Sequence, residues 1–181
     1  MDIQPLETDR LLLRGWRAED AAPYIAFYDD AENAEFVGGK RTPDQAWRSL
    51  ALMVGHWDLK GFGYFAVEER GTGAFVGCIG LWKSEGWPEH ELGYWVVRAH
   101  QGKGYAREAA ERCLRYAREV VRPPSLVSYI DPANEPSKAL ARSLGAQPDG
   151  VVELDVHGPH EVWRHFGAAR DSVVTDSAGP T

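Results

Sequence analysis

Two glycines one residue apart, Gly102 and Gly104, lie between an apolar run and an alanine-rich run, an arrangement suited to holding phosphate. The run Glu91 to Val97 is aromatic and apolar and reads as a strand. The run from Tyr105 to Ala110 reads as the start of a helix. The first N–H groups of a helix have no partner inside it, and the macrodipole adds partial positive charge there. Glycine lets the backbone approach an anion with no Cβ in the way. Lys103 and Arg107 add mobile charge. An ordinary strand-to-helix turn uses glycine too, so the spacing alone leaves both readings open. The pattern is not the dinucleotide fingerprint, because Arg107 stands where the third glycine belongs. It is not a P-loop either, because no Gly-Lys-Ser/Thr follows a four-residue spacer. At the other end of the strand, Glu89, His90 and Glu91 are three adjacent groups able to take a proton.

Gln101-Gly102-Lys103-Gly104-Tyr105-Ala106 fits Gln/Arg-x-x-Gly-x-Gly/Ala. It resembles the pyrophosphate signature of the GNAT superfamily of acyl-CoA-dependent N-acyltransferases. The flank Glu91-Leu92-Gly93-Tyr94-Trp95-Val96-Val97 is similar to one branch, the ribosomal-protein N-terminal acetyltransferases. So is Leu-x-Thr-x-Arg-Leu-x-Leu-Arg from Leu6 to Arg14. The resemblance runs from Leu6 to Phe166. It implies an α+β fold with a mixed, mostly antiparallel sheet, splayed central strands and helices on both faces. Acetyl-CoA would be the cosubstrate, with no metal. The main chain of Trp95, Val96 and Val97 would pair with the pantetheine arm. Gln101, Gly102, Lys103, Gly104, Tyr105, Ala106 and Arg107 would hold the pyrophosphate. Asn134 and Ser137 match an Asn-x-x-Ser element, so Asn134 would bind the coenzyme and Ser137 would protonate the leaving thiolate. Tyr129 and Tyr105 are rivals for that proton. Asn and Ser are also good helix caps, which leaves a purely structural role open.

Acyl transfer to an amine needs few groups. The amine, with a pKa of about 10.4, must lose a proton. A carboxylate can accept it, directly or through water. A fixed N–H near the thioester oxygen would stabilise the charge that develops there. Glu91 is the first candidate base, with Glu89 and His90 beside it; an orienting or surface role for Glu91 stays open. No activated Cys or Ser arrangement is visible, so direct attack by the amine is expected. The acceptor is a primary amine, either a protein or peptide N-terminus or a small molecule. Trp82 and Trp87 could select an apolar or aromatic one. The alternative is a non-catalytic acyl-CoA-binding or sensory domain. A nucleotide-binding module is disfavoured by the glycine spacing.

Other features bound the chain. Its 181 residues suit one domain, and 44% of them are hydrophobic, enough for a sizeable core. A net charge of −7 without any basic run argues against nucleic acid. Cys78 and Cys113 make no disulfide framework and fit a reducing, cytoplasmic setting. The N-terminus lacks a signal-peptide pattern. No apolar stretch approaches the ~18 residues of a membrane span. His157, His160, Glu161 and His165 straddle a Gly-Pro turn and form only a weak metal set, so no metal is expected. A monomer and a homodimer both remain open.

The elements that must position these groups follow from periodicity and breakers. A strand is expected from Glu7 to Arg14, and a helix begins near Ala18. Asp29 to Arg41 reads as a polar loop. A helix capped by Thr42 runs to Lys60, and its stripe Trp47, Leu50, Ala51, Val54 and Trp57 is expected to face the core. Strands follow at Tyr64–Glu69, Ala74–Trp82 and Glu91–Val97, then a helix from Lys103 to Val120. Ser125–Ile130 is a strand, Pro136–Leu144 a helix, and Val151–Val156 with Glu161–Phe166 a closing hairpin. The domain is taken as residues 6–167 and a flexible tail as 168–181.

Overall fold

Residues 3–155 and 158–168 are described by the computed structural model. The strands are β1 (Leu6–Glu7), β2 (Leu11–Arg14), β3 (Tyr64–Glu69), β4 (Phe75–Trp82), β5 (Glu91–Val96), β6 (Leu126–Ile130), β7 (Gln147–Leu154) and β8 (Gly158–Phe166). The α-helices are α1 (Ala21–Asp29), α2 (Ala31–Ala34), α3 (Pro43–Lys60), α4 (Tyr105–Tyr116) and α5 (Glu135–Ser143). The strands make one sheet in the order β1-β2-β3-β4-β5-β6-β8-β7. Every pairing is antiparallel except β5 with β6. That parallel pair meets at a single register position, Glu91 opposite Val127, and the strands then part. The expected α+β sheet with splayed central strands is therefore present.

Alternation along the strands gives each face its own core. Leu11, Leu13, Phe65, Val76, Ile79 and Leu92 pack under the apolar side of α4. Cys78 and Trp95 point the other way, against Tyr24, Phe27 and Tyr28 of α1 and Ala46 and Leu50 of α3. Phe27 stacks on Trp95 with ring centroids 3.7 Å apart. Cys78 and Cys113 are both buried free thiols.

Five expectations need correction. The first strand is two short ones, because Thr8 turns the chain back. Its Oγ1 bonds both the N–H and the carbonyl of Leu11, at 2.8 and 3.2 Å. The polar stretch after α1 contains α2, capped by Asp30, whose carboxylate accepts from the amides of Glu32 and Asn33. The α3 stripe is rotated. Ala46, Leu50 and Trp57 are buried, while Trp47 is 56% and Val54 43% exposed. The α4 helix ends at Tyr116, and residues 117–121 widen into a π-helical turn stopped by Arg122 at φ 53°. The closing hairpin is also longer than expected. Its β7 strand begins at Gln147, with a register shift between Pro148 and Val151. Because β7 is an edge strand, the missing N–H of Pro148 costs no central ladder bond. Of the C-terminal tail, residues 169–181 lie outside the described residues, as does His157.

Candidate active site

Where β5 and β6 part, the edge of β5 is left without a strand partner. The Val97 N–H donates to Val76 of β4 at 2.8 Å. Antiparallel alternation then sends the main-chain groups of Trp95, with the Val97 N–H, towards β4, and those of Tyr94 and Val96 towards the gap. The Leu92 carbonyl also faces β6, where it accepts the Ser128 hydroxyl at 2.7 Å. The expectation for Val96 is compatible with this register. Trp95 instead turns its main-chain groups to the β4 ladder, the Val97 N–H goes to Val76 while its carbonyl accepts the His100 N–H at 2.8 Å, and Tyr94 is the other β5 residue whose main chain faces the gap.

A cavity of about 370 Å³ opens at the gap. Glu91, Gly93 and Trp95 line it from β5, Ser128 and Tyr129 from β6, and Asn134 and Ser137 from the start of α5. Phe36, Val37, Arg41, Leu52 and Met53 close it from the α1–α3 side. Glu91 is the acid on its β5 wall. Its Oε2 accepts the Trp87 indole N–H at 2.9 Å, and burial pushes the carboxyl up to about 7. The hydrogen bond opposes that shift without cancelling it. A carboxylate poised near neutrality suits a general base.

Tyr64 crosses the same wall. A Cβ placed on Gly93 would lie 1.7 Å from its hydroxyl oxygen, so only glycine fits there. The Tyr64 phenol is held well above its ordinary pKa, first by burial and then by the charge of Glu91. It stays a neutral donor facing the cavity. Sequence reading did not single out Tyr64. Its one signal was Gly93 inside a strand, a mark of close approach.

Glu89 and His90 are placed differently from Glu91. Glu89 receives both terminal nitrogens of Arg164, at 2.8 and 3.0 Å, and the Ser125 hydroxyl at 2.6 Å. His90 gives its carbonyl to the Val127 N–H and tilts its ring against Phe62, with burial lowering its pKa. Neither lines the cavity.

At α5 the Asn134 Oδ1 caps the helix by accepting the Ser137 N–H at 3.1 Å. The cap uses only that oxygen; the amide nitrogen stays available to the cavity that Asn134 lines. Ser137 lines it too, and the Tyr94 hydroxyl donates to the Ser137 carbonyl at 3.2 Å. Burial raises the Tyr94 phenol to about 12. Tyr129 also lines the cavity, edge-on to the Trp87 ring. Tyr105 does not: its hydroxyl is bonded to Glu69, which removes it as a rival proton donor in the gap.

The glycine loop lies past the C-terminal end of β5. Gly102 and Gly104 have φ of 74° and 79°, a region that favours glycine. Gly104 is the N-cap of α4, whose amides from Tyr105 onward face outward along the axis. The Gln101 side-chain amide donates to the Val96 carbonyl at 3.0 Å, tying the loop back to the strand. Lys103 and Arg107 are exposed, and Arg107 pairs with Glu111 at 2.8 Å. Behind the loop, Arg10 donates to the Lys103 carbonyl at 2.9 Å and pairs with Glu108, while Thr8 donates to Glu108 at 2.6 Å. The Thr-x-Arg segment of the N-terminal hairpin thus buttresses the glycine loop, a role the sequence did not reveal. Of the histidine-rich hairpin, His165 bonds Ser128 at 3.0 Å, and Glu161 pairs with Lys138. Among the described residues no three His, Cys, Asp or Glu side chains cluster to hold a metal.

Residues 10–147 match the acetyltransferase (GNAT) domain family model. An acetyltransferase structure from Agrobacterium tumefaciens superposes with a TM-score of 0.84 at 31% identity, covering 92% of this chain and 96% of that one. A Bacillus licheniformis protein named "Uncharacterized N-acetyltransferase p20" is 27% identical over 155 residues, 83% of this chain and 86% of that one. Mycobacterium smegmatis RimJ, solved with CoA-disulfide, shares the fold with a TM-score of 0.70 at 20% identity, covering 90% and 85%.

Proposed function

The chain belongs to the GNAT acetyltransferase family, and on that premise we propose that it moves an acetyl group from acetyl-CoA to a primary amine by direct attack. The observation that carries this reading is the buried Glu91 carboxyl, raised to about 7, on the wall of the cavity where β5 and β6 part. Acetyl-CoA, as substrate, supplies an activated thioester. The amides and glycines from Gln101 to Arg107 suit its pyrophosphate, and the open edge at Tyr94 and Val96 suits its amide-bearing arm. Asn134 contributes a side-chain amide at the far side of the gap.

In this reading the amine nitrogen attacks the carbonyl carbon while Glu91 takes its proton. The C–N bond forms, the C–S bond breaks, and the thiolate receives a proton from the Ser137 hydroxyl. The Tyr64 hydroxyl, on the same wall as Glu91, would hydrogen-bond the reacting groups. The acceptor is a small amine or a protein N-terminus, and the catalytic unit spans residues 6–167. The two reduced, buried cysteines fit work in the cytoplasm. No helix among the described residues is long and apolar enough to cross a membrane.

Calorimetric titration with acetyl-CoA, NADH and ATP tests the donor site. Wild type should bind acetyl-CoA alone, and Gly104→Glu should lose it, since a glutamate there is strained at φ 79° and repels the anion. An amine panel read by thiol release tests the transfer. A folded protein that binds acetyl-CoA yet releases no thiol with any amine would overturn the proposed reaction.

A further inference from the structure

The cavity that holds Glu91 also holds a cation, Arg41, with no acidic partner among the described residues. Among the described residues lining it, Arg41 is the only lysine or arginine. Its guanidinium lies over the Tyr28 ring, 4.2 Å from the centroid, and makes a 3.4 Å hydrogen bond to the Val37 carbonyl. No carboxylate among the described residues pairs with it. The other acid on the lining besides Glu91, Asp131, turns to its own loop and accepts the Ala133 N–H at 2.7 Å. The Arg41 backbone is fixed, because its N–H donates to the Tyr28 carbonyl at 2.9 Å and Tyr28 is itself buried. Val37 uses one of a guanidinium's five N–H donors, and Arg41 is on the cavity lining.

We propose that Arg41 is a carboxylate subsite, so that the acceptor is an amine that also carries a carboxylate and an aromatic or aliphatic side chain. The inference rests on the proposed reaction for the position of the amine. Glu91 receives the amine at one wall, and Arg41 receives the carboxylate near the α1–α3 wall. A guanidinium fork matches a carboxylate in two parallel hydrogen bonds, a fit that an amide or a bare alkyl amine lacks. Trp82, Trp87 and Leu52 on the lining supply apolar surface for the side chain. A cavity of about 370 Å³ suits a small molecule rather than a long peptide.

The test uses the full chain and three matched series built on phenylalanine, tryptophan and leucine. Each series holds the free acid, the amide and the decarboxylated amine. Thiol release with saturating acetyl-CoA gives kcat/KM, and calorimetry on the CoA-loaded protein gives affinity apart from turnover. Wild type should prefer acid over amide by about ten- to hundredfold in both measurements, the size of a charge-assisted hydrogen-bonded pair. Arg41→Gln should bring the ratio to about one, and Arg41→Lys should keep part of it. Equal handling of acid and amide by wild type would overturn the inference. So would an acid preference that survives in Arg41→Gln, better use of the amides or of a peptide N-terminus, or no binding in any series. Acid-selective affinity that Arg41→Gln abolishes, with no thiol release from any amine, would overturn the proposed reaction while supporting the subsite.

Discussion

Glu89 and Glu91 are two residues apart and have opposite surroundings. Glu89 lies at the base of the late sheet, held by both nitrogens of Arg164 and by Ser125. Arg164 is further tied to Asp149 at 2.6 Å. Glu91 has one neutral donor, the Trp87 indole, and is otherwise desolvated by burial. The first carboxylate is neutralised where it stands and joins β8 to the turn before β5. The second is desolvated without a counter-charge, which holds its proton near neutral pH. The difference teaches that a reactive carboxylate is made by withholding partners, and that withholding them costs stability.

The largest effect that separates the two should be on turnover. Glu91→Gln removes a general base and is expected to lower kcat by about a hundred- to ten-thousandfold. The acetyl-CoA Kd should change little in calorimetry, since Glu91 lies at the other end of β5 from the glycine loop. Glu89→Gln should keep kcat near wild type. Equal losses in the two variants would erase the distinction.

Stability should move in opposite directions. Glu89→Gln removes one of the two carboxylates that hold Arg164 in a nearly buried site and leaves it Asp149 alone, the Glu89 and Arg164 side chains being 16% and 8% exposed. A loss of about 2–3 kcal/mol is expected, discounted from a fully buried pair, with Tm down by about 5–10 °C. Glu91→Gln should raise Tm at pH 8 by several degrees. The sign follows from linkage. The folded carboxyl, at about 7, holds its proton above the unfolded value, so ionisation destabilises the fold as pH rises from about 4.5 to 7. Below pH 4 both states carry the proton, and the gain of the Gln variant should vanish. Differential scanning at pH 4, 6 and 8 reads both variants.

The pH profile sharpens the same comparison. A base must be unprotonated, so kcat/KM should rise with pH through a limb at about 7. Trp87→Phe removes the donor that favours the charged form and should move the limb upward by about half to one unit. The smallest effect expected is at the buttress of the glycine loop. Arg10→Gln removes the bond to the Lys103 carbonyl and should raise the KM for acetyl-CoA a few-fold, with kcat nearly unchanged.

Local chemistry was legible along the chain. The glycine spacing, the Thr42 cap with Pro43 after it, and the alternation of β3 to β5 follow from neighbours in sequence, because glycine conformations, caps and pleats are short-range properties. Gly102, Gly104 and Thr42 behave as such rules expect. Helix rotation was not legible. Trp47 and Trp57 have the same hydrophobicity, and only packing against the sheet buries one and exposes the other. The break at Thr8 was hidden for a related reason, since the carboxylate that holds it, Glu108, is a hundred residues away in α4.

By itself, then, the sequence determined the order of elements, the glycine-bearing loop before α4 and the presence of acids around the start of β5. It could do so because spacing along the chain sets those features directly. Tertiary structure alone decided which acid is buried beside the cavity, which edge groups of β5 face the gap, and that Arg41 shares a cavity with Glu91. Burial, register and long-range pairing are properties of the folded sheet, and no stretch of sequence contains them.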